Sequence, residues 1–155
     1  MTDSIVSFHC NTRDADVTTA AASAFNNVAL FNESTEEYYR NSLAVLDPEV
    51  RRGLFRSDMT IYTRPRNEVP AYLGEGADVC DSIVGDGSVI AGHVDHSVLF
   101  RGVHVEEEAS IKDSILLQDV VVGKGAQLSC VILDKDVVVR PGAMLVGTPT
   151  APVII

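Results

Sequence analysis

Val79-Cys80-Asp81-Ser82-Ile83-Val84 recurs as Val94-Asp95-His96-Ser97-Val98-Leu99 and again as Ile111-Lys112-Asp113-Ser114-Ile115-Leu116. A fourth copy, Leu128-Ser129-Cys130-Val131-Ile132-Leu133, carries valine where the others carry serine. The copies are stepped by 15, 17 and 17 residues. Between them stand Val89, Val103-x-Val105, Val120-x-Val122 and Val137-x-Val139, often beside a glycine. A period this short is half of what a helical array needs, about 33 residues per unit. Long alternating strands of a sandwich are not present either, because the apolar positions recur with the repeat itself. The pattern predicts a mainly β fold, a left-handed parallel β-helix of hexapeptide type with three short strands and three tight turns per coil. Val, Ile and Leu then stack inward on their counterparts one coil away. Ser82, Ser97 and Ser114 stack at a corner that admits only a small residue, and Gly85, Gly87, Gly102, Gly123, Gly125 and Gly142 fall at turns, where positive φ costs glycine little.

Outward from the repeat the composition changes near residue 74. Ten of the eleven glycines lie from Gly74 onward, Gly53 being the exception, which separates a solenoid over 74–155 from a different segment over 28–73. In that segment Ser34 and Glu37 form a capping box, and Tyr39, Leu43 and Leu46 lay one apolar stripe along a helix. Asp47-Pro48 stops this helix and starts a second, whose face is Val50, Leu54 and Phe55. Val28-Ala29-Leu30-Phe31 and Ile61-Tyr62-Thr63 read as strands, the second followed by a linker from Pro65 to Pro70. Residues 1–27 carry no pattern and stay unassigned.

Composition bounds the function. The hydrophobic fraction of 46% supports a core, and the net charge of −10 repels phosphate backbones and anionic bilayers. Nucleic acid and membrane are therefore not expected partners. No apolar run reaches the length of a membrane span, and Met1-Thr2-Asp3-Ser4 lacks the basic start of a signal peptide. Cys10, Cys80 and Cys130 form no C-x-x-C pair, which fits a reducing cytoplasm better than disulfides or a thiolate zinc site.

Several separate stretches resemble ADP-glucose pyrophosphorylase (glucose-1-phosphate adenylyltransferase). Ser34-Thr-Glu-Glu-Tyr-Tyr-Arg-Asn-Ser-Leu-Ala-Val-Leu-Asp-Pro-Glu-Val is similar to the helix closing that family's catalytic domain, and Ile61-Tyr-Thr-Arg to its linker. Ser97-Val-Leu-Phe-Arg-Gly-Val, Asp113-Ser-Ile-Leu-Leu and Val131-Ile-Leu-Asp-Lys resemble its C-terminal β-helix. Ile61-Tyr-Thr-Arg and Phe100-Arg-Gly look closest to the GlgD-type accessory subunit of glycogen-synthesising bacteria.

The resemblance implies a parent enzyme that joins ATP and glucose 1-phosphate into ADP-glucose and pyrophosphate. It also implies that the chemistry lies elsewhere. The family's active site uses a glycine-rich loop with an arginine, plus carboxylates that hold magnesium, and no such cluster occurs between Met1 and Leu73. Gly74-x-Gly76, Gly85-x-Gly87 and Gly123-x-Gly125 lack a third glycine at dinucleotide spacing. The chain is thus expected to be the C-terminal part of a larger subunit, with no catalytic residue, cofactor or metal of its own. Its expected partners are the catalytic subunit of the same enzyme or further copies of itself. Its expected role is structural, oligomerising and regulatory.

Lys135 is the one candidate binding residue. It follows Val131-Ile-Leu-Asp134, and the matching cation in the family helps to bind an anionic sugar-phosphate effector; an ammonium at a turn can pair with phosphate. The plain alternative is a solvated turn lysine. His93, His96 and His104 invite a different reading, a small hexapeptide-repeat acyltransferase in which a histidine is the general base. Without cysteines or paired carboxylates at ligand spacing they do not suggest zinc. Glu106-Glu107-Glu108 reads as a solvated turn that discourages edge pairing, and Arg64 and Arg66 as linker arginines.

Overall fold

The computed structural model describes residues 32–55 and 67–155. The expected strands at 28–31 and 61–63, Arg64, Arg66, Cys10 and the unassigned 1–27 lie outside the described residues. The chain divides into two compact units, one up to Arg66 and the other Asn67–Ile155.

In the first unit, helix α1 is Thr35–Ala44 and helix α2 is Pro48–Leu54. Ser34 caps α1: its Oγ accepts from the Glu37 N–H at 3.2 Å. The reciprocal bond lands one residue earlier than the capping box predicts, because the Glu37 carboxylate accepts from the Glu33 N–H at 2.8 Å. Asp47 caps α2 through the Glu49 N–H at 2.7 Å, with Pro48 as the first helical residue. Tyr39, Leu43 and Leu46 are buried as the stripe requires. Val50, Leu54 and Phe55 are only half-buried.

In the second unit fifteen short strands wind into three five-stranded parallel sheets. The first sheet holds β1 (Tyr72–Leu73), β4 (Val89–Ile90), β7 (His104–Val105), β10 (Val121–Val122) and β13 (Val138–Val139). The second holds β2 (Asp78–Cys80), β5 (His93–Asp95), β8 (Ser110–Lys112), β11 (Gln127–Ser129) and β14 (Met144–Val146). The third holds β3 (Ile83–Val84), β6 (Val98–Leu99), β9 (Ile115–Leu116), β12 (Val131–Leu133) and β15 (Val153–Ile154). Each strand pairs only with its counterparts one coil before and after, the architecture of a left-handed parallel β-helix. The first coil opens at Tyr72–Leu73, just ahead of the glycine at which the repeat becomes visible in sequence.

Register explains the core. Val79, Val94, Ile111, Leu128 and Leu145 align across the second sheet, and Leu73, Ile90, Val105, Val122 and Val139 across the first. Together with Leu99, Leu116 and Leu133 of the third, the inner members of these columns form one apolar cluster. Burying each such side chain contributes roughly 1.5–3 kcal/mol. Val103, Val120, Ala109 and Ala126 fill the corners of the same cluster.

The serine corner is a hydrogen-bonded ladder. Ser82 Oγ donates to the Cys80 carbonyl at 2.6 Å and accepts from the Ser97 N–H at 3.0 Å. Ser97 repeats this with Asp95 and the Ser114 N–H, and Ser114 with Lys112 and the Val131 N–H. Just before each serine stands a residue in the left-handed region, Asp81, His96 or Asp113, and Cys130 before Val131. The hydroxyl bridges the wider gap left by that turn, and Val131, with no hydroxyl, ends the ladder. Ser114→Ala should therefore leave the buried Val131 N–H without its partner, while the Lys112 carbonyl keeps the Cys130 N–H, lowering stability by about 1–3 kcal/mol in urea denaturation. An unchanged midpoint would mean that the ladder is incidental.

Not every turn glycine serves positive φ. Gly87, Gly102, Gly125 and Gly142 do. Gly85 and Gly123 do not; a Cβ there would meet backbone of the next coil, Arg101 N at 2.7 Å and Pro141 N at 2.6 Å. Their constraint is space between coils.

Candidate functional site

The step of 15 residues has a structural cause. β4 ends at Ile90 and β5 begins at His93, so only Ala91 and Gly92 turn that corner. One coil later the same corner takes Glu106, Glu107, Glu108 and Ala109. Beside the shortened corner, on the outer face of the first sheet, lies an open groove of about 540 Å³ lined by Val89, Ala91, His104, Glu106, Val121 and Lys124, among others. That size lies within the ~300–1,000 Å³ usual for small-molecule sites.

The glutamate run is more than a solvated turn. The Lys124 backbone N–H donates to Glu106 Oε2 at 2.8 Å, and its ammonium lies 3.1 Å from Glu107 Oε2 and 3.2 Å from Glu108 Oε1. Hydrogen bonds to Glu107 and then Glu108, reinforced by their charge, hold the Lys124 pKa above its ordinary value. A raised lysine pKa gives a stabilising term that is complete below the unfolded value and lost only as pH rises through the folded one, so the clasp is intact at neutral pH. Nothing in sequence spacing alone announced it, since the partners are a full coil apart.

Lys135 is the second of the four residues between β12 and β13, with exposed side chain. Its backbone N–H donates to Asp134 Oδ1 at 2.8 Å, and Asp136 follows in the left-handed region. Backbone bonds from Gly102 to Asp86, Asp119 to Arg101 and Asp136 to Gln118 stack these turns, so Asp86, Arg101, Gln118 and Lys135 form one column on this corner. Among the described residues, Gln118 Oε1 is buried without a hydrogen-bond partner. Two cations and an amide on one corner suit an anion, whereas Asp86 beside Arg101 in the column, and Asp134 and Asp136 on either side of Lys135, oppose it.

The three histidines do not converge. His93 projects from the second sheet, Nδ1 2.9 Å from Asp78 Oδ2. His96 stands at the serine corner, Nδ1 2.7 Å from Asp113 Oδ1. His104 lies in the groove of the first sheet. Among the described residues no three histidine, cysteine or carboxylate side chains gather as metal ligands. No helix among them is long and apolar enough to cross a membrane.

The family model described as "GlmU-like, C-terminal hexapeptide" matches residues 66–151. The chain belongs to the GlmU-like C-terminal hexapeptide family. Within it, the chain is similar to the glycogen biosynthesis protein GlgD of Bacillus subtilis (strain 168), 29% identical over 100 residues, which are 64% of this chain and 29% of that protein. It is also similar to glucose-1-phosphate adenylyltransferase of Bacillus thuringiensis (strain Al Hakam), 38% identical over 81 residues, 52% of this chain and 22% of the enzyme. The enzyme of Bacillus mycoides (strain KBAB4) is 37% identical over the same length. This hexapeptide-family chain thus spans less than a third of the length of the curated relatives it matches, and the resemblance read from its motifs holds.

Proposed function

We propose that this chain is the β-helix domain of a GlgD-like subunit in glycogen biosynthesis, acting in the cytoplasm as a structural, oligomerising and regulatory element for a glucose-1-phosphate adenylyltransferase whose nucleotidyl-transfer core lies elsewhere. The observation that carries this reading is the family match over residues 66–151 together with the similarity to GlgD and to the adenylyltransferases. On this reading 28–73 is the end of the catalytic domain with its linker, and 74–155 is the regulatory β-helix. The Arg101–Gln118–Lys135 corner is where an anionic sugar phosphate would act, Lys135 supplying the charge.

The test is co-expression with a full-length catalytic subunit and assay of ADP-glucose synthesis with and without sugar phosphates. We expect a changed rate or effector response, and Lys135→Ala should weaken that response about tenfold, the worth of one charge-assisted hydrogen bond of ~1.5 kcal/mol. No association and no effect would overturn the reading. His104 in its groove favours a second reading, a small hexapeptide acyltransferase; binding of acetyl-CoA by a trimer would establish that one instead.

A further inference from the structure

The shortened corner of the second coil interrupts a backbone ladder. At this vertex the Gly142 N–H donates to the Lys124 carbonyl at 2.9 Å and the Gly125 N–H to the Glu107 carbonyl at 3.1 Å. The next donor in the series is the Glu108 N–H, but the second coil, two residues shorter, has no residue there to accept from it. The series would close on the Glu75 carbonyl, in the turn over 74–77, and the second coil has no residue to donate to that either. Among the described residues neither group has a hydrogen-bond partner. The turns over 74–77 and 106–109 thus stand two coil steps apart, about 9.6 Å, with a slot one chain thick between their tips.

The middle of this notch is apolar and both its rims are acidic. Val89, Ala91 and Val121 line the groove that opens from it. One rim carries Glu106, Glu107 and Glu108, and the other carries Glu75, which is exposed. Among the described residues Lys124 is the one lysine or arginine lining the groove, and Glu107 and Glu108 already hold its ammonium. That contact shows what the rim accepts, an alkylammonium laid between carboxylates. Glu106 keeps one oxygen unengaged, since Oε2 takes the Lys124 N–H, and the Glu75 carboxylate has no ion-pair partner among the described residues. An ammonium carries three donors, so at the second rim it can meet both the Glu75 carboxylate and the Glu75 carbonyl. Two anionic ends with an apolar stretch between them match a ligand with two cationic ends and an apolar stretch between them. An alkyl chain, about 4 Å across at van der Waals contact, fits a slot one chain thick. A phosphate-bearing ligand is repelled from both rims. A metal ion is a poorer match, because among the described residues no three ligand side chains converge.

We propose that the notch at Ala91-Gly92 is a binding site for a short aliphatic α,ω-diamine, one ammonium on Glu106 and the other on Glu75, the methylene chain lying over Ala91 and Val89. The site is separate from the Arg101–Gln118–Lys135 corner and does not rest on the function proposed above. Exposed ion pairs are individually weak, so the dissociation constant is expected near ~1 mM.

Titration of the nitrogen-15-labelled chain with 1,4-diaminobutane to about 20 mM, at constant ionic strength, should give saturable NMR shifts confined to the Glu75, Ala91 and Glu106 amides and the His104 ring. Butylamine, with one cationic end, should bind at least about tenfold more weakly, and Glu75→Gln and Glu106→Gln should each weaken the diamine about fivefold or more. Inserting Asn-Gly after Ala91 restores the step of 17 residues and should abolish binding. Circular dichroism of each variant separates misfolding from lost binding, and Glu75→Gln, at an exposed side chain, decides the matter if the insertion does not fold. No saturable shift, or binding indifferent to Glu75→Gln or to the refilled corner, would overturn the site. Butylamine binding as tightly as the diamine would overturn the two-ended recognition. Equal shifts from magnesium chloride would reduce the notch to a diffuse acidic surface. Tighter binding of pentalysine, with shifts spread along the first sheet, would replace the diamine with a basic peptide and overturn the proposal.

Discussion

Gly92→Ala is expected to destabilise the solenoid by about 3 kcal/mol or more, a fall of roughly 10–20 °C in its melting midpoint. A Cβ at this position would lie 2.5 Å from the Ala109 carbonyl oxygen and 2.8 Å from that of Glu106. Both are backbone atoms of the next coil, so relief demands that two coils separate, and His93 N loses its 2.8 Å bond to the Ala109 carbonyl if they do. Gly125→Ala is the matched control. Gly125 has φ +69° but open space around it, so the cost is the left-handed strain alone, about 1–2 kcal/mol. Equal melting of the two variants would show that the short corner is not tightly stacked.

The second large effect is expected from Leu116→Ala. Leu116 is fully buried in the third sheet, aligned between Leu99 and Leu133. Removing its isobutyl group opens a cavity whose walls are strands held in register above and below, so collapse is limited and the loss falls at about 2–5 kcal/mol. Its position in the middle of a stack adds a second signature. Coils contact only their neighbours, so weakening the third uncouples the first two from the last two. Urea denaturation should show a lower midpoint together with a shallower slope or two transitions. Leu145→Ala in the last coil, where the side chain is only half-buried, should shift the midpoint less and keep a single transition. Equal effects from the two would contradict coil-by-coil stability.

How much of this was legible beforehand depends on whether a feature lies along the chain or across it. The inward columns were readable because each strand repeats its β-branched and leucine residues at nearly fixed steps, and the serine corner because Ser82, Ser97 and Ser114 keep the same place in three copies. The shortened step of 15 was visible as a number. Its consequence, a groove over His104 and a glycine pressed against the next coil, needs two corners of different size set side by side. Lys124 with Glu106–Glu108 stayed hidden because the partners are one coil away, among turn residues that follow no repeat, and His93 with Asp78 because the outward positions of the strands, though in register, repeat no residue type. Gly85 and Gly123 looked like their positive-φ neighbours, since glycine required for space and glycine required for conformation are the same letter. For Lys135 the sequence supplied the residue and its turn but not Asp134 and Asp136 as electrostatic opponents or Gln118 and Arg101 as column-mates.

The corner at Ala91-Gly92 also shows where a molecule of this type is free to vary. Two residues are missing there, yet Ile90 still faces Val105 and Val94 still faces Ile111. Length is edited at the vertices while the sides of the triangle keep their register. A lineage can therefore dent or extend the outline of such a coil, making recesses and overhangs where a ligand or neighbour is met, and leave the interior that holds it together unrevised.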